Sequence, residues 1–355
     1  MTALSFDDVT LLPRFNNIPS RERVDTSVKF GDLLLKAPVF SANMDTVTAS
    51  QMAEEMWELG GMGFLHRFCS IEDNIEMYKE SCFRQRNTRE MKMLGVREAV
   101  VSLGVNEGLK RYTALHEIGA RYFCIDIAHG HSESVGDMIQ AIKDDDPSVF
   151  VVAGNVCTGA GAEYLAARGA DAVKVGIGPG SVCTTRLKSG FGLPQFSAIL
   201  DCRKVNVFLI ADGGIRHPGD AVKALAAGAD AIMCGGMFAG CDETPGDFED
   251  EPIWETASPA GFQSRQVKVY RGMASDEAQD DFGVNSDWKT AEGIKMKVRA
   301  RGPVANVVSD IMGGIRSGMT YCGANNLRQI RERASWVDIS AAGAAEGRAH
   351  GEDRL

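Results

Sequence analysis

Eight short, almost continuously apolar runs recur along the chain: Pro38–Asn43, Met62–His66, Ala99–Val105, Tyr122–Ile127, Val149–Asn155, Ala172–Gly178, Val207–Asp212 and Ala231–Gly236. They lack the strict apolar–polar alternation of a half-exposed sheet, as expected of parallel strands covered by helices. Helical spacing lies between them. Met52, Met56 and Leu59 fall at i, i+4, i+7, and Val135, Met138, Ile139 and Ile142 at i, i+3, i+4, i+7. Pro218-Gly219-Asp220 opens a helix to Ala227, with Gly228 as its stop. Strand–helix alternation repeated eight times predicts an α/β chain folded as a (β/α)8 TIM barrel. A doubly wound open sheet is the alternative.

The pattern turns irregular after the eighth run. An acidic loop, Cys241–Glu251, precedes a hairpin around Ser264–Arg271, a polar stretch from Ser275 to Lys289 and a closing helix from about Val304 to Arg316. We read residues 1–340 as one catalytic domain with a mobile flap at about 275–303, and the Ala/Gly-rich residues 341–355 as a flexible tail.

Composition narrows the function. A net charge of −10 argues against nucleic-acid binding, which needs a basic face. No apolar run reaches the ~18–20 residues of a membrane span. Met1–Asp8 lacks the basic and apolar regions of a secretory signal. The nine cysteines are scattered, with no CxxC pair, so zinc and thioredoxin-type chemistry are not indicated and a reducing, cytoplasmic compartment is.

The chemistry gathers at the ends of the runs, where barrel enzymes carry it. After the sixth run comes Gly176-Ile177-Gly178-Pro179-Gly180-Ser181-Val182-Cys183-Thr184-Thr185-Arg186, a glycine turn that projects a thiol. Backbone amides and Arg186 would lower the thiol pKa from ~8.5, giving a nucleophile suited to an electron-poor ring carbon. Asp212-Gly213-Gly214 and Gly235-Gly236 follow the seventh and eighth runs. That is the phosphate corner of such barrels, and Asp212 adds an acceptor for a ribose diol. His66, His129 and His131 are candidate bases or merely structural histidines.

Together, Asn43-Met44-Asp45-Thr46-Val47, Ala153-Gly154-Asn155-Val156, Lys174–Arg186, Ala211-Asp212-Gly213-Gly214, Gly235–Gly240 and Arg271-Gly272-Met273-Ala274-Ser275 resemble the IMP dehydrogenase/GMP reductase family over roughly residues 4–335. The resemblance implies Cys183 attack on C2 of a purine nucleotide. Of the family's two reactions it points to the reductase, which turns GMP into IMP and ammonia with NADPH. Family dehydrogenases activate water with an arginine and a tyrosine on the flap, where this chain has Lys297 and Ala300. Only about 32 residues separate His66 from Ala99, so the regulatory insert of many dehydrogenases is not expected. Asp126–Ser132 and Arg271–Ser275 are closer to the dehydrogenase form, which keeps IMP dehydrogenase, or a divergent relative, as the alternative. A flavin-dependent barrel enzyme and a non-catalytic nucleotide-binding protein are further rivals.

Carried over residue by residue, the resemblance implies Cys183 as nucleophile and Thr185 with Glu292 as the proton relay to ammonia. Ser181, Asp212, Gly214, Gly235, Gly236, Met273, Lys289 and Gly293 would bind the nucleotide. Arg67, Asp126, Ala128 and Gly130 would line the dinucleotide site, and carbonyls of Gly178, Gly180 and Cys183 would bind potassium. Relatives are homotetramers, which sets the same expectation here.

Overall fold

A computed structural model of the chain describes residues 2–83, 97–258, 261–283 and 290–347. Each of the eight apolar runs forms a strand: β1 (Val39–Ser41), β2 (Met62–Leu65), β3 (Val100–Leu103), β4 (Tyr122–Asp126), β5 (Phe150–Val156), β6 (Ala172–Val175), β7 (Phe208–Asp212) and β8 (Ala231–Cys234). All eight pair in parallel, and β8 pairs with β1 (Ile232 opposite Val39) to close the barrel. Most strands stop one to three residues before the end of their apolar run. There the chain turns into the loops that carry the polar groups.

Alternation along each strand separates two cores. Outward residues such as Val173, Val175, Leu209 and Ala211 pack beneath the surrounding helices. Inward residues such as Phe40, Phe64, Cys124, Ala172 and Ile210 fill the barrel. One step further along, the inward positions become polar, with Lys174 on β6 and Asp126 and Asp212 at the ends of β4 and β7.

The barrel floor is a feature that the apolar pattern did not predict. A hairpin of Val28–Phe30 and Leu33–Leu35 inserts Phe30 among Phe40, Phe150 and Phe208, with centroids 5.2, 4.5 and 5.2 Å away. Gly31 sits in the left-handed region at φ 61°, and a Cβ there would lie 2.8 Å from Phe150. The hairpin is so short that periodicity does not register it.

Helix Pro218–Ala227 ends at Gly228 (φ 129°), as predicted. The closing helix runs Val304–Cys322, longer than its apolar pattern suggests. Two of its glycines are contact points: a Cβ on Gly314 would lie 2.4 Å from Pro218, and one on Gly318 2.4 Å from Val222. Close approach of the two helices requires glycine there.

The region after β8 is more ordered than an acidic loop and a hairpin. Glu249–Ser258, Gly261–Arg271 and Lys295–Arg299 form a three-stranded antiparallel sheet, so the end of the acidic segment is already strand. Within the segment from residue 341, Ala341–Glu346 form a short helix, its start capped by Ser340 Oγ accepting from Gly343 N–H. Residues 348–355 lie outside the described residues. No helix among the described residues is long and apolar enough to cross a membrane.

Candidate active site

A cavity of about 1650 Å³ opens at the C-terminal ends of the strands. It is larger than the roughly 300–1,000 Å³ usual for one small ligand. Cys183, Thr185 and Glu292 all line it.

The Cys183 loop is pinned at its start and its end. Gly176 (φ 154°) lies so close to β7 that a Cβ would sit 1.9 Å from the Asp212 carbonyl. Gln195 Nε2 donates to both the Val175 and Asp212 carbonyls. At the other end Cys183 N–H closes a turn onto Gly180 O at 3.1 Å. The thiol points to Thr185 Oγ1 at 3.2 Å. Arg186 does not serve the thiol as expected, because its guanidinium donates to Leu193 O and packs over Gly178 and Gly192.

Glu292 reaches this loop through the main chain. Its carbonyl accepts from Thr184 N–H at 2.8 Å, its N–H donates to Ala274 O at 2.9 Å, and Ile294 N–H donates to Val182 O at 3.0 Å. Gly293 stands opposite Cys183 in an antiparallel bridge. It packs on Gly272, where a Cβ would be 3.2 Å from the Gly272 Cα. Gly293 therefore aligns the flap and is not a lining residue of the cavity.

The glycine pairs meet a hydroxyl cluster. Ser181 Oγ lies 3.2 Å from Tyr270 OH. A Cβ on Gly236 would be 2.8 Å from Ser181 Oγ, and one on Gly235 3.1 Å from Tyr270 OH. Burial pushes Tyr270 up to about 12, so it stays a hydrogen-bond donor at neutral pH. Tyr270 was missed in the sequence, although it directly precedes the quoted Arg271-Gly272-Met273. Gly214 (φ 79°) and Met273 line the same cavity. Lys289 lies outside the described residues.

Arg67, Asp126 and Ala128 line the cavity's other side. The Arg67 guanidinium stacks 4.6 Å over Phe68, and Gly104 leaves room for it. Arg67 Nε and Asn155 Oδ1 are buried without a protein partner among the described residues, which suits them to a polar ligand. Burial alone would raise Asp126, but Lys174 and Arg67 hold it below the usual carboxylate range. Gly130 is buried behind the wall, its N–H on Asn155 O at 2.7 Å, and does not line the cavity. A side chain there would collide with Gly154, which explains the glycine without a ligand.

The histidines are not bases at the thiol. His66, His129 and His131 are absent from the cavity lining. His66 is buried and pushed down to about 4 by that burial, while Asp45 opposes the shift and Arg111 adds to it. His131 packs on Tyr164, centroids 5.1 Å apart.

The flap strand Lys295–Arg299 has two faces. Met296 and Val298 line the cavity, whereas Lys297 Nζ forms an ion pair with Glu249 at 2.7 Å.

Residues 3–350 match the IMP dehydrogenase / GMP reductase domain family. A GMP reductase of Onchocerca volvulus is 34% identical over 354 residues, covering 95% of this chain and 91% of the relative. An inosine-5'-monophosphate dehydrogenase of Aquifex aeolicus is 45% identical over 263 residues, 71% of this chain and 51% of the relative. Among solved structures, a GMP reductase variant of Trypanosoma brucei in complex with guanosine 5'-monophosphate superposes with a TM-score of 0.88 at 29% identity, covering 99% of this chain and 98% of that one.

Proposed function

The chain belongs to the IMP dehydrogenase/GMP reductase family, and we propose that within it the chain is a GMP reductase, forming IMP and ammonia at the expense of NADPH. The disposition of the flap carries this reading. Lys297, which stands where family dehydrogenases have the water-activating arginine, is engaged by Glu249 and does not line the cavity. Ala300 has no group that could activate water. Glu292, by contrast, lines the cavity with Cys183 and Thr185.

In this reading the Cys183 thiolate attacks C2 of GMP, and the exocyclic amine leaves as ammonia after taking up a proton. Glu292 and the Thr185 hydroxyl relay that proton, a role within the reach of a carboxylic acid and hydroxyl pair. Ser181, Tyr270, Gly214, Gly235 and Gly236 hold the 5'-phosphate, and Asp212 the ribose. NADPH supplies hydride to C2 when bound. Breaking the C2–S bond then releases IMP and restores the Cys183 thiolate. Arg67, Asp126 and Ala128 receive the dinucleotide, and the cavity volume is enough for two ligands. Arg67 Nε, without a partner among the described residues, is a ready donor for it.

Potassium at the carbonyls of Gly178, Gly180 and Cys183 is part of the proposal. Backbone oxygens are the ligand type a hard cation takes, and two of the three residues have no side chain to shield them. Replacing potassium by a bulky organic cation should then lower turnover.

IMP dehydrogenase is the second reading, favoured by the 45% identity to the Aquifex aeolicus enzyme. The deciding experiment offers the protein GMP with NADPH, and separately IMP with NAD. Loss of NADPH with release of ammonia supports the reductase, and formation of NADH and XMP overturns it. Cys183→Ser should abolish either turnover, and retained activity would refute the covalent route.

A further inference from the structure

Lys174 is a lysine inside the barrel, only 2% exposed. Its strand neighbours Val173 and Val175 face outward to the helices, so alternation turns Lys174 inward, one layer above Ala172. Desolvating an ammonium costs several kcal/mol unless it is fully paired. The pairing here is complete. Nζ reaches Asp126 Oδ1 at 2.8 Å, Asn43 Oδ1 at 3.0 Å and Asp212 Oδ2 at 3.1 Å. An ammonium has three N–H donors, and three oxygen acceptors surround this one. Little capacity remains for a ligand, although the residue borders the cavity.

The two carboxylates come from different sides of the site. Asp126 ends β4 among the residues assigned to the dinucleotide, and Asp212 ends β7 at the phosphate corner. Asp212 Oδ2 also accepts from Asn155 Nδ2 at 2.9 Å, so both protein bonds fall on one oxygen and leave Oδ1 for a ligand. We propose that Lys174 is a positioning residue shared by both nucleotide sites, holding the carboxylates of Asp126 and Asp212 in place and aimed so that each can receive one ribose. The inference rests on the proposed two-nucleotide site, though not on the direction of the reaction.

The surroundings leave few substitutes for this cation. Arg67 also favours the charge on Asp126. Cys124 beside Lys174, and Cys234 and Tyr270 near Asp212, are all pushed up by burial and stay neutral. Without Lys174 the two carboxylates would face each other with Arg67 on one side only, and their mutual repulsion would turn them out of position.

The test compares Lys174→Met with the double variant Asp126→Asn/Lys174→Met, which has the net charge of the wild type. Calorimetry measures the binding of GMP, IMP, NADPH and NAD to each. Lys174→Met should weaken the purine monophosphate and the dinucleotide each by about tenfold or more, ~1.4 kcal/mol. The double variant should recover the monophosphate to within about threefold of wild type and leave the dinucleotide weak. A merely structural lysine would not give recovery on one side alone. Weakening of a single ligand in Lys174→Met, or no recovery in the double variant, overturns the proposal. If Lys174→Met does not fold, the double variant decides: binding of GMP or IMP without dinucleotide supports it, and a folded protein that binds neither overturns it. A failed reductase reading would appear differently, as wild-type turnover with IMP and NAD while the binding pattern persists.

Discussion

His66 makes acid stability a quantitative prediction. The imidazole follows β2, is 7% exposed, and has a buried Nδ1 with no partner among the described residues. Burial takes its pKa from 6.5 to about 4; Asp45 works against the shift, and Arg111 adds to it. The folded value is depressed, so above pH ~6.5 both states carry a neutral ring and no penalty arises. Below that, the unfolded chain takes up a proton that the folded protein resists, and stability falls until pH ~4, where the folded state titrates as well. Integrating between the two values gives a loss of about 2 kcal/mol by pH ~5 and about 3 kcal/mol by pH ~4. His66→Gln removes the titration. Urea unfolding of both proteins near neutrality and near pH ~5 isolates it, because the protein's carboxylates contribute equally to each curve. The wild type should lose about 2 kcal/mol more than the variant across that interval. Parallel pH curves would refute the reasoning and show that the ring is charged, or reached by water, in the folded state.

Other substitutions probe the rest of the molecule. Glu292→Gln should lower kcat by roughly 10²–10⁴, with GMP affinity nearly unchanged, because both main-chain bonds of residue 292 survive; equal losses in binding and turnover would demote the carboxyl to a structural group. Gly236→Ala should raise the KM for GMP well before it affects stability, since the added Cβ would lie 2.8 Å from Ser181 Oγ, and an unchanged KM would remove that loop from the phosphate site. Phe30→Ala should cost about 3–5 kcal/mol in chemical denaturation, with kcat per folded molecule preserved; a matching fall in kcat would mean that the floor and the mouth of the barrel are coupled.

The barrel was legible because its strands are buried on both faces, which writes them as unbroken apolar runs. The helix of Pro218–Ala227 was legible from its cap residues. The closing helix reads only to about Arg316 in sequence, and the facing Pro218 and Val222 reveal Gly314 and Gly318 as packing sites within a longer helix. Lys174 is a polar interruption in an apolar run, and its three partners are strangers to it in sequence, at residues 43, 126 and 212. Tyr270 acquires meaning only once the hairpin strand brings it over Ser181. Glycine was the least decodable signal. Gly235 and Gly236 border the cavity, whereas Gly130 and Gly293 are glycines because backbone passes close by.

The Phe30 floor has a consequence for traffic. Tilted and edge-on rings close the barrel below among the described residues, and the cavity opens at the other end, where Glu292 and Met296 line it. The side from which the site is reached is thus set by an aromatic hairpin at the opposite end of the barrel.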